Sequence, residues 1–209
     1  MRWLCAFIRV NNLAGFFDVN FLAHLHIADH CQSSLLGNLL GDFVKGNPDT
    51  QYPAMISQGV RLHRFVDSYT DSHSQVEQIR ALFPNGVRRY SGIALDMFWD
   101  HCLAVQWNQF HVKPLSDFCA QAERQIQDEA IVELPDRFVR TNQAMWQGRW
   151  LESYQTLDNI DFALQRMSQR SMRMTRLNEC FPYLERNYQQ LSAVFSRFYP
   201  EVLTASRRF

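Results

Sequence analysis

Two aspartates four residues apart, Asp96 and Asp100, sit inside an otherwise apolar run, with Ile93-Ala94-Leu95 before them, Met97-Phe98-Trp99 between them and Leu103-Ala104-Val105 after. On a helix, residues i and i+4 differ by about 40° around the axis, so both carboxylates leave the same side of a segment that is apolar almost all round. A buried carboxylate without a partner is costly and is ordinarily relieved by a metal, a cation or a proton. The stretch therefore predicts an interior helix with something positive beside its acids.

The arrangement recurs elsewhere. His63, Asp67 and Asp71 follow one another at i, i+4 steps, Asn38 and Asp42 share that spacing among leucines, and His24 and His26 lie in Asn20-Phe21-Leu22-Ala23-His24-Leu25-His26. Taken singly, a histidine on an apolar face is usually a hydrogen-bonded core residue, and an i, i+4 His/Asp pair is often a helix-surface contact. Three acid-bearing segments in apolar context between residues 38 and 101 favour a shared metal centre instead. Mixed imidazole and carboxylate ligation suits manganese, iron or zinc, and magnesium where water completes the shell.

With 209 residues, 46% of them hydrophobic, the chain can bury a full core in one domain, taken here as residues 20–209. Only 8 glycines and 7 prolines are present, and strict apolar/polar alternation is hard to find, which predicts an all-α, single-domain multi-helix bundle. Basic and acidic residues balance at 21 each, so no general attraction for nucleic acid is expected. The five cysteines, Cys5, Cys31, Cys102, Cys119 and Cys180, are scattered without a CxxC spacing and read as free thiols of a reducing cytosol. Residues 1–19 read as an N-terminal extension whose apolar start is broken by Arg9, Asn11 and Asn12 before a signal-peptide core or membrane span is complete. No later stretch reaches transmembrane length, so a cytoplasmic protein without membrane association is expected, its oligomeric state left open.

Breakers and periodicity predict helices over about 20–31 and 33–44, then a turn at Lys45-Gly46-Asn47-Pro48-Asp49 and a long helix from Pro53 to Asp71. A short helix precedes Phe83-Pro84-Asn85-Gly86, and the Asp96/Asp100 helix should run to about Phe110. Pro114 and Pro135 open the next two, one or two more fill about 151–180, and the last starts at Pro182 and should end at Pro200. Arg166, Arg170, Arg173 and Arg176 recur at helical spacing beside an apolar stripe of Ile160, Ala163, Leu164, Met167, Met174 and Leu177. Such a row is either the solvated flank of a core-facing stripe or a face that docks an acidic protein or a phosphate-bearing substrate.

The ordered set of motifs resembles one family. Asn20-Phe21-Leu22-Ala23-His24-Leu25-His26, then Ser33-Ser34-Leu35 through Gly37-Asn38-Leu39-Leu40-Gly41-Asp42-Phe43-Val44-Lys45-Gly46-Asn47, is similar to the N-terminal signature of the bacterial acyl carrier protein phosphodiesterases. His63-Arg64-Phe65-Val66-Asp67-Ser68-Tyr69-Thr70-Asp71 and Leu95-Asp96-Met97-Phe98-Trp99-Asp100-His101 resemble its later motifs. Members of that family begin at a Met-Asn-Phe-Leu-Ala-His run, and this chain has Val19 before Asn20, which raises the expectation of a true start at Val19.

The resemblance implies a manganese-dependent, all-helical hydrolase distantly related to the HD-type phosphohydrolases. Its substrate would be holo-acyl carrier protein, and its products the apo protein and 4′-phosphopantetheine. Within that reading Asp42, His63, Asp67 and Asp100 are assigned as metal ligands, with His24 and Asp96 as further ligands or as residues that orient them. His101 or His26 would protonate the departing serine oxygen, Lys45 and Arg64 would pair with phosphate oxygens, and the arginine row would meet the acidic carrier. Two other readings share some of these residues: a metal phosphohydrolase acting on nucleotides or other small phosphoesters, and a non-catalytic helical protein that binds the carrier.

Overall fold

The computed structural model describes residues 21–129, 133–169 and 172–209, and among them every regular element is helical. Segment 1–19, with the expected start at Val19, lies outside the described residues. The first element, α1 (Phe21–His30), is apolar on all sides, and Phe21 through Ala28 are buried, His24 and His26 included. Burying a leucine such as Leu22 or Leu25 is worth about 1.5–3 kcal/mol over exposing it, so this run settles at the centre of the molecule. Its neighbour α2 (Leu35–Leu39) starts at Ser34, whose hydroxyl accepts from the Gly37 amide at 2.8 Å and donates to Glu129 at 2.5 Å. The helix expected over 33–44 is shorter than that, because after Leu39 the chain tightens into a 3-10 turn, Leu40–Asp42.

The long helix α3 (Ala54–Asp71) follows Pro53, whose missing N–H is not needed there. It crosses α2 at Gly37 and Gly59: a Cβ on Gly37 would lie 2.4 Å from the Ile56 carbonyl oxygen, so the two backbones touch. After α4 (Ser74–Arg80) comes α5 (Ser91–Val105), which carries Asp96 and Asp100 through the interior. It stops at Val105 and not near Phe110, because Gln106 leaves the helical conformation and α6 (Trp107–Phe110) turns separately to bury Trp107. Next are α7 (Leu115–Glu129) and α8 (Asp136–Gln147), each opening after its proline, then α9 (Trp150–Ser153) and α10 (Leu157–Ser168).

Past Ser168 the helix ends, and the chain turns into a 3-10 segment, Leu177–Cys180. The arginine row is therefore broken. Arg166 rides on α10, Arg170 lies outside the described residues, Arg173 sits in the turn, and Arg176 binds Glu179 through Nε and Nη2, each at 2.8 Å. Met167 and Leu177 are both buried, so the apolar stripe reaches the core by turning back instead of by continuing the helix.

The chain closes with α11 (Phe181–Arg186) and α12 (Tyr188–Ser206). Pro200 does not end the last helix but lies within it. Val202 and Ser206 beyond it are buried, and their packing outweighs the one hydrogen bond that proline cannot donate. Buried residues from Phe21 to Val202 form one connected core, with Cys102, Cys119 and Cys180 inside it as unpaired thiols. No helix among the described residues is long and apolar enough to cross a membrane.

Candidate metal centre

Three elements meet around one point. From α1 comes His24, from the 3-10 turn after α2 comes Asp42, and α3 contributes His63 and Asp67 one turn apart. The two imidazoles stack with ring centroids 3.8 Å apart and planes 24° from parallel. Both aim Nε2 at Asp67, His24 lying 3.1 Å from Oδ1 and His63 3.1 Å from Oδ2. Asp42 Oδ1 is 3.4 Å from the same His63 nitrogen. The histidine side chains are only 1% and 3% exposed, but those of Asp67 and Asp42 are 44% and 33% exposed, so the centre is sealed behind the rings and open across the carboxylates.

Gly41 seats the His63 ring. A Cβ at that position would lie 2.1 Å from the imidazole carbon atoms, so the ring rests directly on the backbone of the Leu40–Asp42 turn. Arg64 fixes the next segment by donating to the Val44 carbonyl at 2.7 Å and the Gly46 carbonyl at 2.8 Å. Its guanidinium thereby ties α3 to the loop that follows Asp42, and Lys45 is exposed in that loop.

Burial works against a charged His63, but contact with Asp42 and Asp67 and their negative charges outweigh it and raise its pKa to about 10. Burial, and then the neighbouring His63, lower the pKa of His24. For Asp67 burial alone would act upward, and the two imidazoles instead hold its carboxyl well below the usual range. Yet His63 Nε2 makes no aligned hydrogen bond to either carboxylate, and Nδ1 of both rings has no partner. Ligand atoms of His24, His63 and Asp67 all lie within 4.8 Å of one another. Buried imidazole nitrogens aimed without alignment at open carboxylates fit a divalent cation, whose charge would replace the proton His63 otherwise holds.

The comparisons agree with the motifs. A family profile described as acyl carrier protein phosphodiesterase matches residues 19–202. The chain belongs to the acyl carrier protein phosphodiesterase family. It is 43% identical over 186 residues to an acyl carrier protein phosphodiesterase of Klebsiella pneumoniae (strain 342), covering 88% of this chain and 96% of that one. A protein of the same name from Pectobacterium atrosepticum is 43% identical over 190 residues, 90% of this chain and 98% of its own. One from Escherichia coli O6:K15:H31 is 38% identical over 191 residues, 91% and 98%. No solved structure matches significantly.

Not every residue proposed from the family's motifs reaches the cluster. Both Asp100 oxygens are taken by backbone amides at the start of α1, Leu22 N–H at 2.9 Å and Ala23 N–H at 2.8 Å. The positive partner anticipated for this acid is therefore a helix N-terminus, not a metal, although burial still raises its pKa to about 8. Asp96 is half-buried on the same helix, and burial together with Asp67 and Asp71 pushes its carboxyl well above the usual range while Arg80 opposes them. It borders the centre from the α5 side.

Neither proposed proton donor faces the centre. His26 lies two residues from His24 and so on the opposite side of α1. Its Nε2 is 3.2 Å from the Phe110 carbonyl and must carry the proton there, which leaves Nδ1 to accept from the Tyr199 hydroxyl at 2.7 Å. His101 is held likewise, with Nδ1 donating to the Tyr154 carbonyl at 2.7 Å and Nε2 accepting from the Tyr188 hydroxyl at 3.0 Å. Burial lowers both pKa values, that of His26 to about 4. These are neutral core histidines with both nitrogens occupied. What the sequence reading missed is Gly41, although a glycine immediately before a candidate ligand is itself a sign of close backbone approach.

Proposed function

We propose that the chain hydrolyses the phosphodiester joining 4′-phosphopantetheine to a serine of holo-acyl carrier protein, releasing the apo carrier and 4′-phosphopantetheine. The observation that carries the reading is the convergence of His24, His63 and Asp67, with Asp42 at the rim, on a centre open to solvent through its carboxylates. His24, His63, Asp67 and Asp42 would hold a divalent ion, manganese for preference, and Asp96 lies at its edge. When bound, that ion supplies neutralisation of the phosphate charge and acidification of water.

The chain's own residues prepare the rest. The stacked imidazoles wall off water from behind, so a phosphodiester can approach only across Asp42 and Asp67. The Gly41 seat and the Arg64 strap hold the Asp42 turn against α3, which fixes the spacing between ligands from two elements. Lys45, exposed on the strapped loop, is available to the phosphate or to an acidic carrier surface. Buried free thiols agree with a cytoplasmic site of action.

The test is to incubate the purified chain with holo-acyl carrier protein and manganese, with and without chelator, and to follow the intact carrier mass. Loss of the phosphopantetheine group that chelator prevents is the expected result. An unchanged carrier beside folded, manganese-loaded protein would overturn the reading, and turnover of small phosphodiesters alone would favour a general metal phosphohydrolase.

A further inference from the structure

Asp71 and Gly92 lie outside the cluster, and one side chain joins them. Arg80, the last residue of α4, donates through Nη2 to Asp71 Oδ1, and a Cβ on Gly92 would lie 3.1 Å from the same nitrogen. Its guanidinium therefore bridges the C-terminal end of α3 and the first turn of α5. Asp67 stands four residues before Asp71 and Asp96 four residues after Gly92, each on the same face as its bridged neighbour and about 6 Å further along its helix. Asp67, Asp71 and Arg80 all act on the charge of Asp96, so these four groups from three helices form one charged rim.

The pair with Asp71 does not use up the donors of Arg80. Its Nε is shut off from solvent and meets no acceptor, although the side chain as a whole is 29% exposed. An unmet buried N–H costs about 1–3 kcal/mol, so this guanidinium calls for a further acceptor. Charge makes a second demand. A divalent ion held by Asp42 and Asp67 is neutralised by them, and imidazoles bind such an ion in their neutral form. An anionic diester that crosses those carboxylates thus gains no net attraction from the cluster itself. A fixed cation one turn away supplies it, in a partly enclosed setting where charge-assisted hydrogen bonds are stronger than in water.

We propose that Arg80 receives the phosphate of the substrate, donating to a non-bridging oxygen of the diester while Asp71 holds its guanidinium in place. This deepens the phosphodiesterase reading and rests on it. The planar fork keeps one N–H on Asp71 and offers others to the phosphate, a division that a single ammonium reproduces poorly. The sequence motifs do not point to Arg80, because it stands nine residues beyond Asp71 on a separate helix and reaches the rim only where the chain turns back between α3 and α4.

The experiment compares the full chain with Arg80→Gln and Arg80→Lys, all loaded with manganese. Dimethyl phosphate serves as the phosphodiester probe in calorimetric titration, and holo carrier as the substrate in steady-state assays. Manganese affinity, followed by equilibrium dialysis, is expected to stay unchanged. The probe is expected to bind the parent saturably and Arg80→Gln about tenfold or more weakly, with Arg80→Lys between them, and kcat/KM for holo carrier should fall in the same order. Added guanidinium ion should restore part of the Arg80→Gln rate, which a merely structural role would not allow. Equal probe binding in all three proteins, or no saturable binding to the parent, would overturn the proposal. A parallel loss of manganese would overturn it too, by making Arg80 a support of the metal cluster. Probe binding that depends on Arg80, in a parent that leaves holo carrier intact, would sink the phosphodiesterase reading and leave Arg80 standing as a phosphate-binding residue.

Discussion

Two groups of buried histidines sit on opposite sides of α1, and they differ in one respect that separates chemistry from architecture. On one side His26 has both ring nitrogens in hydrogen bonds, and deeper in the core His101 and Asp100 are satisfied in the same way. On the other, His24 and His63 face Asp67 and Asp42, with Nδ1 of each ring unpartnered and His63 Nε2 unaligned. A native core rarely leaves buried polar atoms without partners, and these nitrogens, gathered beside two carboxylates, are what support the proposed cation there. Burial alone does not make the distinction, since all four imidazoles are nearly inaccessible.

The largest effects should come from exchanging the roles of the two aspartates. Asp67→Ala is expected to abolish manganese binding and lower kcat/KM for holo carrier by about 1000-fold or more, with the helical fold retained, as calorimetry and circular dichroism would show. Asp100→Ala is expected to do the reverse, costing about 2–4 kcal/mol in urea unfolding by stranding two buried amides while the folded protein still binds manganese. Equal loss of metal binding in both would erase the contrast between the regions.

Gly41→Ala sharpens the same contrast more mildly. The added Cβ must displace the His63 ring, so manganese affinity is expected to fall about 10–100-fold, a change that equilibrium dialysis would detect. Arg64→Lys should have the smallest effect. A single ammonium cannot reproduce the two directed bonds to Val44 and Gly46, and the loosened Asp42 turn is expected to weaken manganese binding a few-fold. An unchanged manganese affinity in a folded variant would show that the loop does not set the ligand spacing.

The helical class and the His63/Asp67 pair could be read from the sequence because apolar periodicity and i, i+4 spacing are local properties of the chain, whereas His24 and Asp42 were joined to that pair by the resemblance to the family. Asp100 could not be placed in the same way. Its spacing announced a need for positive charge, but the charge came from the amides of a helix 78 residues away, a tertiary fact invisible along the sequence. His26 and His101 misled for a related reason: a histidine beside a motif acquires its role from whatever packs against its ring, here Tyr199 and Tyr188. Pro200 and the arginine row show the limit of pattern, since burial of Val202 carried a helix through a proline and burial of Leu177 folded a regular stripe into a turn.

The hold of α5 on the start of α1 has a consequence for biosynthesis. His24, Asp42, His63 and Asp67 all belong to the N-terminal third of the chain and leave the ribosome before Asp100 does. A nascent chain thus exposes all four residues of the proposed metal site while the helix that carries His24 still lacks its anchor. Assembly of the cluster waits on the arrival of α5, whose Asp100 anchors the start of the helix that carries His24.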